Sequence, residues 1–315
     1  MIRLQFSWKH GTIIMLSAIL CGFENYVKRL YRILRGNAMV QIVTDSSTLI
    51  TVDEGKAMGI EVLPLCVNIM DEDYRDLQVD MDDFYGKIAN GGVPKSSQPP
   101  VGEFVEAFKQ HTGKKILNIA MAHGLSGTYQ SACGAKEIAE NKDDIEVFNT
   151  RTLCGPHRYM VQKAHAMAKA GSSMEEILRA LEECRAHCHS YLIVQDFDFL
   201  RRGGRLTPVA AKFASALNVK PIMEQVEEGA RLSIHGVART MKGAAKNIKA
   251  QLEKRNIGEG YLISISHARA EKDAHEIAEV MRSAFAKAKV EILDLSPAFI
   301  TQGGPGCIAV QYVKM

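Results

Sequence analysis

Beyond Met39 the apolar positions fall into short runs separated by stretches with helical spacing. Val40 to Thr44, Ile60 to Ile69, Lys114 to Met121 and Ile145 to Thr150 read as strands. Between them, Asp53 to Met58, Met81 to Ala89, Val101 to His111 and Gly127 to Glu140 read as helices. This alternation predicts a parallel sheet covered on both faces. Loops at the carboxyl ends of such strands converge on a ligand crevice. Tyr159 to Ala170 and Met174 to His187 read as two more helices. Ser173 and Glu176 have capping-box spacing at the second. The pattern then changes. Strands at Tyr191 to Gln195, Val219 to Val226, Arg231 to Ala238, Tyr261 to Ser266, Val290 to Leu295 and Ile308 to Val313 mix with helices at Met241 to Arg255 and Glu271 to Lys287. Glu227 to Ala230 reads as a hairpin turn. The expectation is an α/β fold of two domains. Residues 39–189 form an N-terminal parallel sheet with helices on both faces, residues 190–315 form a mixed α/β domain, and residues 1–38 are an extension.

One segment concentrates candidate chemistry. Ala122 to Ala132 reads AHGLSGTYQSA, a tight turn between a buried strand and a helix. Free N–H groups at a helix start, with the helix dipole, favour an anion there. Ser126 and Thr128 add hydroxyls at the same point, and the turn before the Gly127 helix supplies the N–H groups. Composition excludes some classes. Thirty-nine basic residues stand against 36 acidic ones, a net charge of +3. That balance, with one Trp and 7% aromatics, leaves no footprint for nucleic acid. The seven cysteines are an odd number without a CxxC pair, so they read as reduced thiols of a cytoplasmic protein. Cys184, His187, Cys188 and His189 cluster at a helix end, where histidine complements the dipole; no metal is expected. In the extension, Thr12 to Phe23 is apolar between basic flanks and too short to span a membrane. It reads as an upstream extension that is not translated, with the functional chain beginning near Met39, and an interfacial helix is the alternative.

Seven segments occur in order: VTDSS (from Val43), PLCVNIMDEDYRD (from Pro64), KSSQP (from Lys95), GLSGTYQSA (from Gly124), FLRRGGRL (from Phe199), VKPI (from Val219) and GGPGCIAV (from Gly303). In these the chain resembles the DegV family, from about Met39 to Val313. The resemblance implies two α/β domains with a long-chain fatty acid between them, and no cofactor. It implies a carrier rather than an enzyme. A separate fatty acid kinase subunit would phosphorylate the carboxylate to an acyl-phosphate for phospholipid synthesis. It further implies Ser126 and one of Ser96 or Ser97 as carboxylate contacts.

The residues themselves suit that task. A carboxylate only accepts hydrogen bonds, so its holder supplies donors. Ser96, Ser97, Ser126, Gly127 and Thr128 offer hydroxyl and backbone donors without a bidentate Arg clamp. Asp45 is expected to bind loop N–H groups and shape the site. Three departures from the family pattern stand out. Ala122-His123 replace a pair of serines. Gln302 stands where the family has His in the C-terminal loop. Thr152 to Arg158 lacks the usual glycine spacing. His123 is a candidate replacement partner for the carboxylate. Arg201, Arg202 and Arg205 read as a basic loop suited to docking the kinase and its ATP. Two rival functions are a phosphorylated-ligand binder and a serine hydrolase. Gly124-Leu125-Ser126-Gly127-Thr128 misses the hydrolase elbow at its last glycine.

Overall fold

The computed structural model describes residues 40–212 and 219–315. The expected extension, its untranslated and interfacial readings, and Cys21 lie outside the described residues. In chain order the first part comprises β1 (Gln41–Asp45), α1 (Val52–Met58), β2 (Glu61–Leu63), β3 (Cys66–Ile69), β4 (Glu72–Arg75), α2 (Met81–Ala89), β5 (Lys95–Ser97), α3 (Val101–Gln110), β6 (Ile116–Ala120), α4 (Thr128–Ile138), β7 (Ile145–Asn149), α5 (Cys154–Lys169) and α6 (Met174–Ala186). The second comprises β8 (Cys188–Ile193), α7 (Phe197–Gly203), α8 (Pro208–Ala211), β9 (Lys220–Val226), β10 (Arg231–Ala238), α9 (Met241–Lys254), β11 (Tyr261–His267), α10 (Glu271–Ala284), β12 (Lys289–Asp294), α11 (Pro297–Gly303) and β13 (Ile308–Lys314).

The fold is α/β. A parallel sheet runs β2-β1-β6-β7, a mixed sheet runs β10-β9-β8-β13-β11-β12, and a small antiparallel sheet runs β4-β3-β5. Every residue of β1 and β6 is buried, as expected of parallel strands covered on both faces. α3 and α4 cover one face through Phe104, Phe108, Ala132 and Ala135. α5 and α6 cover the other through Met160, Val161, Ile177 and Leu181, and the same cluster reaches Leu262 and Val313 of the mixed sheet. One helical layer therefore serves both sheets. The far face of the mixed sheet is covered by α9 and α10. Ser190, where the sequence reading divides the chain, lies within β8.

Most predicted elements are present, with local reasons for the ends. Thr51 with Glu54 and Ser173 with Glu176 close capping boxes at α1 and α6. Thr207 caps α8, with Pro208 in its first turn. The expected strand from Ile60 to Ile69 is instead two strands in different sheets. Pro64 separates them, because it brings no N–H to a ladder. β4 and β5 were not expected, since EDYR and KSS show no apolar alternation. Met70 and Asp71 join β3 to β4 with φ of 51° and 61°, a tight hairpin built without glycine. The basic segment expected as a loop is mostly helix: α7 starts at its Asp196 cap and buries Phe197, Phe199 and Leu200. α11 was also unexpected, so Gln302 sits on a helix rather than in a loop. α5 begins at Cys154, well before Tyr159, with Pro156 tolerated in its first turn.

Glycines set two close approaches between the parts. A Cβ on Gly124 would lie 2.4 Å from Ala230 in the β9–β10 turn, and one on Gly155 would lie 2.1 Å from Ser264 Oγ.

Candidate functional site

A cavity of about 110 Å³ lies where loops of the parallel sheet meet the mixed sheet. Leu65, Met121, Leu125, Leu153, Leu192, Leu200, Leu232 and Phe299 give it largely apolar walls. Polar groups from four segments close a ring around part of it. β5 carries Ser96, whose Oγ lies 3.0 Å from Thr301 Oγ1 on α11. Thr301 gives its single hydroxyl hydrogen to Ala298 O at 2.7 Å, so Ser96 is the donor of that pair. Gln302 Nε2 also donates to Thr301 Oγ1, at 3.1 Å. Next to Gln302 stands Gly203 at the end of α7, where a Cβ would come 1.9 Å from Gln302 Oε1. Arg205 follows, donating through Nε to Leu125 O at 3.0 Å and through Nη1 to Gly203 O. Leu125 leads to Ser126, whose Oγ accepts from Thr128 N at 3.3 Å and pairs with Thr128 Oγ1 at 2.8 Å. Gly127 lies against the Gln98 amide, which returns the ring to the Ser96 segment.

A second polar group borders the same cavity from the mixed sheet. Ser190, Gln225 and Gln311 face it from β8, β9 and β13. Gln311 Nε2 donates to Ser190 Oγ at 2.8 Å and to Leu153 O at 3.0 Å. Gln225 Nε2 donates to Gly229 O at 3.2 Å.

The predicted site residues separate into groups. Ser96, Ser97, Ser126 and Gln302 line the cavity. Gly127 and Thr128 stand behind Ser126 at the start of α4, whose cap position makes no side-chain hydrogen bond. Asp45 is fully buried and accepts from Ser47 N at 2.9 Å and Met121 N at 3.1 Å, holding the β1 and β6 ends together. His123 does not line the cavity; its Nδ1 lies 2.8 Å from Asn149 Nδ2. Arg201 and Arg202 are exposed on α7. Arg201 pairs with Asp198 at 2.8 Å, and the Arg202 guanidinium lies 4.7 Å from the Phe199 ring centre. Arg205, grouped with them in the sequence reading, turns into the cavity wall instead. Burial lowers its pKa from the usual arginine value, yet leaves it a cation. The sequence reading also missed Gln98, Thr301, Gln225 and Gln311. Of these, Gln311 had a signal: a lone amide inside the apolar strand IAVQYV.

Little here supports covalent chemistry. Burial pushes the Cys307 thiol up to about 12 and the Cys154 thiol upward too, so both cavity cysteines stay protonated. Ser126 pairs with Thr128 rather than with an imidazole. A Ser–His pair exists at Ser47 and His157, 2.9 Å apart, but both are wholly buried in the core. Burial lowers the His157 pKa, so its ring is neutral and serves to tie α5 to β1. Among the described residues no helix is long and apolar enough to cross a membrane.

The comparisons with known proteins agree on one family. The sequence signature described as "Uncharacterised protein, DegV family" matches residues 39–315. A DegV domain-containing protein of Clostridium perfringens is 32% identical over 285 residues, covering 86% of this chain and 96% of that protein. Among solved structures, a DegV family protein of Thermus thermophilus reported for fatty acid binding superposes with a TM-score of 0.79 at 25% identity, covering 88% of this chain and all of that one. A DegV family protein of Ruminococcus gnavus, refined with vaccenic acid, superposes with a TM-score of 0.77 at 27% identity, covering 87% of this chain and 99% of that one. With the family signature matching residues 39–315 and a relative 32% identical over 86% of this chain, the chain belongs to the DegV family.

Proposed function

We propose that this protein carries a long-chain fatty acid and presents its carboxylate to a separate kinase subunit. The supporting observation is the cavity itself: apolar walls with a ring of hydrogen-bond donors at one part. In this reading the carboxylate takes hydrogen bonds from Ser96, Ser126, the second Gln302 amide hydrogen and the free Arg205 N–H groups. The acyl chain lies along Met121, Leu125, Leu192 and Phe299. Each buried methylene contributes about 0.8 kcal/mol, so a chain of roughly 16 carbons gains on the order of 10 kcal/mol. Affinity then comes from the hydrocarbon, and the polar ring sets direction. The cavity is small beside the roughly 300–1,000 Å³ of drug-sized sites. A full-length chain therefore has to part these walls on loading. The bound vaccenic acid of the Ruminococcus gnavus relative supports the ligand class.

The chain is a carrier; the kinase subunit performs the phosphoryl transfer that yields an acyl-phosphate for phospholipid synthesis in the cytoplasm. Arg201 and Arg202, exposed beside the ring, supply positive potential for that subunit and its ATP. The test is mass spectrometry of organic extracts of the purified protein, followed by incubation with ATP and a fatty acid kinase subunit. One fatty acid per chain and acyl-phosphate formation are expected. A protein that retains no fatty acid after incubation with a mixed set overturns the carrier role. A loaded protein that yields no acyl-phosphate overturns the kinase step alone.

A further inference from the structure

The polar group on the mixed sheet has no task in holding a carboxylate. Gln311 is 1% exposed, borders the cavity, and lies four residues along the strand from Cys307, or about 13 Å away. Cys307 packs against Gly303, next to Gln302 in the ring, so Gln311 sits well down the cavity from the donors. The orientation of its amide is fixed: Leu153 O can only accept, so the nitrogen faces Leu153 and Ser190. That leaves Gln311 Oε1 buried without a partner among the described residues. Gln225 likewise spends its amide hydrogens on the Gly229 and Arg151 carbonyls, which leaves an acceptor oxygen. Ser190 Oγ accepts from Gln311 and, among the described residues, has only Thr152 Oγ1, at 3.5 Å, for its own hydrogen.

An apolar chain passing these groups would leave a buried acceptor unmet, which is costly. A hydroxyl on the chain would donate to Gln311 Oε1 and accept from Ser190. We infer that the preferred ligand is a fatty acid hydroxylated along its chain, with Gln311 and Ser190 as the selecting residues. This deepens the carrier reading above and rests on it. A keto group at the same carbon would not serve, because it brings no hydrogen to Gln311 Oε1. The Gln311, Ser190 and Gln225 positions are neighbours across three strands, with Gln311 opposite Ser190 in the ladder, so the subsite is built on rigid backbone.

The test is competition binding to the full, delipidated chain. The probes are stearic acid, a positional series of hydroxystearic acids, and the matched oxostearic acids. One hydroxy isomer is expected to bind about tenfold tighter than stearic acid, with its oxo counterpart no better than stearic acid. In Gln311→Leu the hydroxy and plain acids should converge on one affinity. Should that variant fail to fold, the positional series on the wild-type chain decides alone. Stearic acid binding as tightly as every hydroxy isomer overturns the inference and leaves the carrier reading standing. Failure of all the acids to bind overturns the carrier reading itself.

Discussion

Gly203 and Gln302 are packed so closely that a Cβ at residue 203 would fall 1.9 Å from Gln302 Oε1 where that side chain now lies. The obstructing atom is the far end of a flexible side chain, so a methyl group there moves Gln302 rather than the backbone. Gly203→Ala should leave the unfolding free energy nearly unchanged, within about 0.5 kcal/mol. It should weaken fatty acid binding about tenfold, or about 1.4 kcal/mol. Thermal unfolding and a lipid titration on the same preparation separate the two effects.

Ser96 and Ser126 differ in what they must give up to meet a carboxylate. Ser96 already donates to Thr301, whereas the Ser126 hydroxyl accepts from Thr128 N and can receive the Thr128 hydroxyl hydrogen as well. The Ser126 hydrogen is thus the freer of the two. Ser126→Ala should cost about 1.5–3 kcal/mol of ligand affinity, the range for a bond to a charged group. Ser96→Ala should cost less, since the wild-type Ser96 must first release Thr301. Equal losses in the two variants would contradict this ordering.

Asp76 is wholly buried where β4 meets α11. It accepts from Ser46 Oγ at 2.7 Å, Ser296 Oγ at 2.9 Å and Ala298 N at 2.9 Å. Burial nevertheless raises its pKa to about 6. The folded protein therefore holds this proton more tightly than the unfolded chain. Its contribution to stability is complete below about pH 4, the unfolded value, and is lost as pH rises through about 6. Asp76→Asn removes the titration. The stability difference, wild type minus variant, should fall between those pH values by on the order of 3 kcal/mol. Urea melts at a series of pH values would read it, and a flat difference would contradict it.

The strands of the parallel and mixed sheets and most helices are legible because burial leaves unmistakable apolar runs, as in β1 and β6; the small β4-β3-β5 sheet is not, since EDYR and KSS carry no such run. The site was partly legible. Ser96, Ser126 and Gln302 lie in motif segments, and the structure brings them to one cavity. Where the structure places residues differently from their grouping in the sequence, the causes are physical. Arg205 was grouped with Arg201 and Arg202 because sequence shows a run of charge, not the αL turn at Gly204 that sends Arg205 inward. His123 suggested a ligand contact, yet its ring is held by Asn149, a pairing 26 residues apart that no local pattern reveals. Thr301 and Gln98 matter only through contacts that exist after folding.

The helical layer that both sheets share has a consequence for how the molecule comes apart. Met160, Ile177 and Leu181 are core residues for the parallel sheet, and their cluster extends to Leu262 and Val313. Neither half retains a finished core when the other melts. Cooperativity should therefore span Val40 to Met315, giving one calorimetric transition instead of two. Gly155→Ala, which drives a methyl group into Ser264 at the seam, should lower that single transition by about 1–3 kcal/mol without splitting it. A lipid seated between the sheets would then raise the melting of α9 and α3 alike, although neither helix touches it.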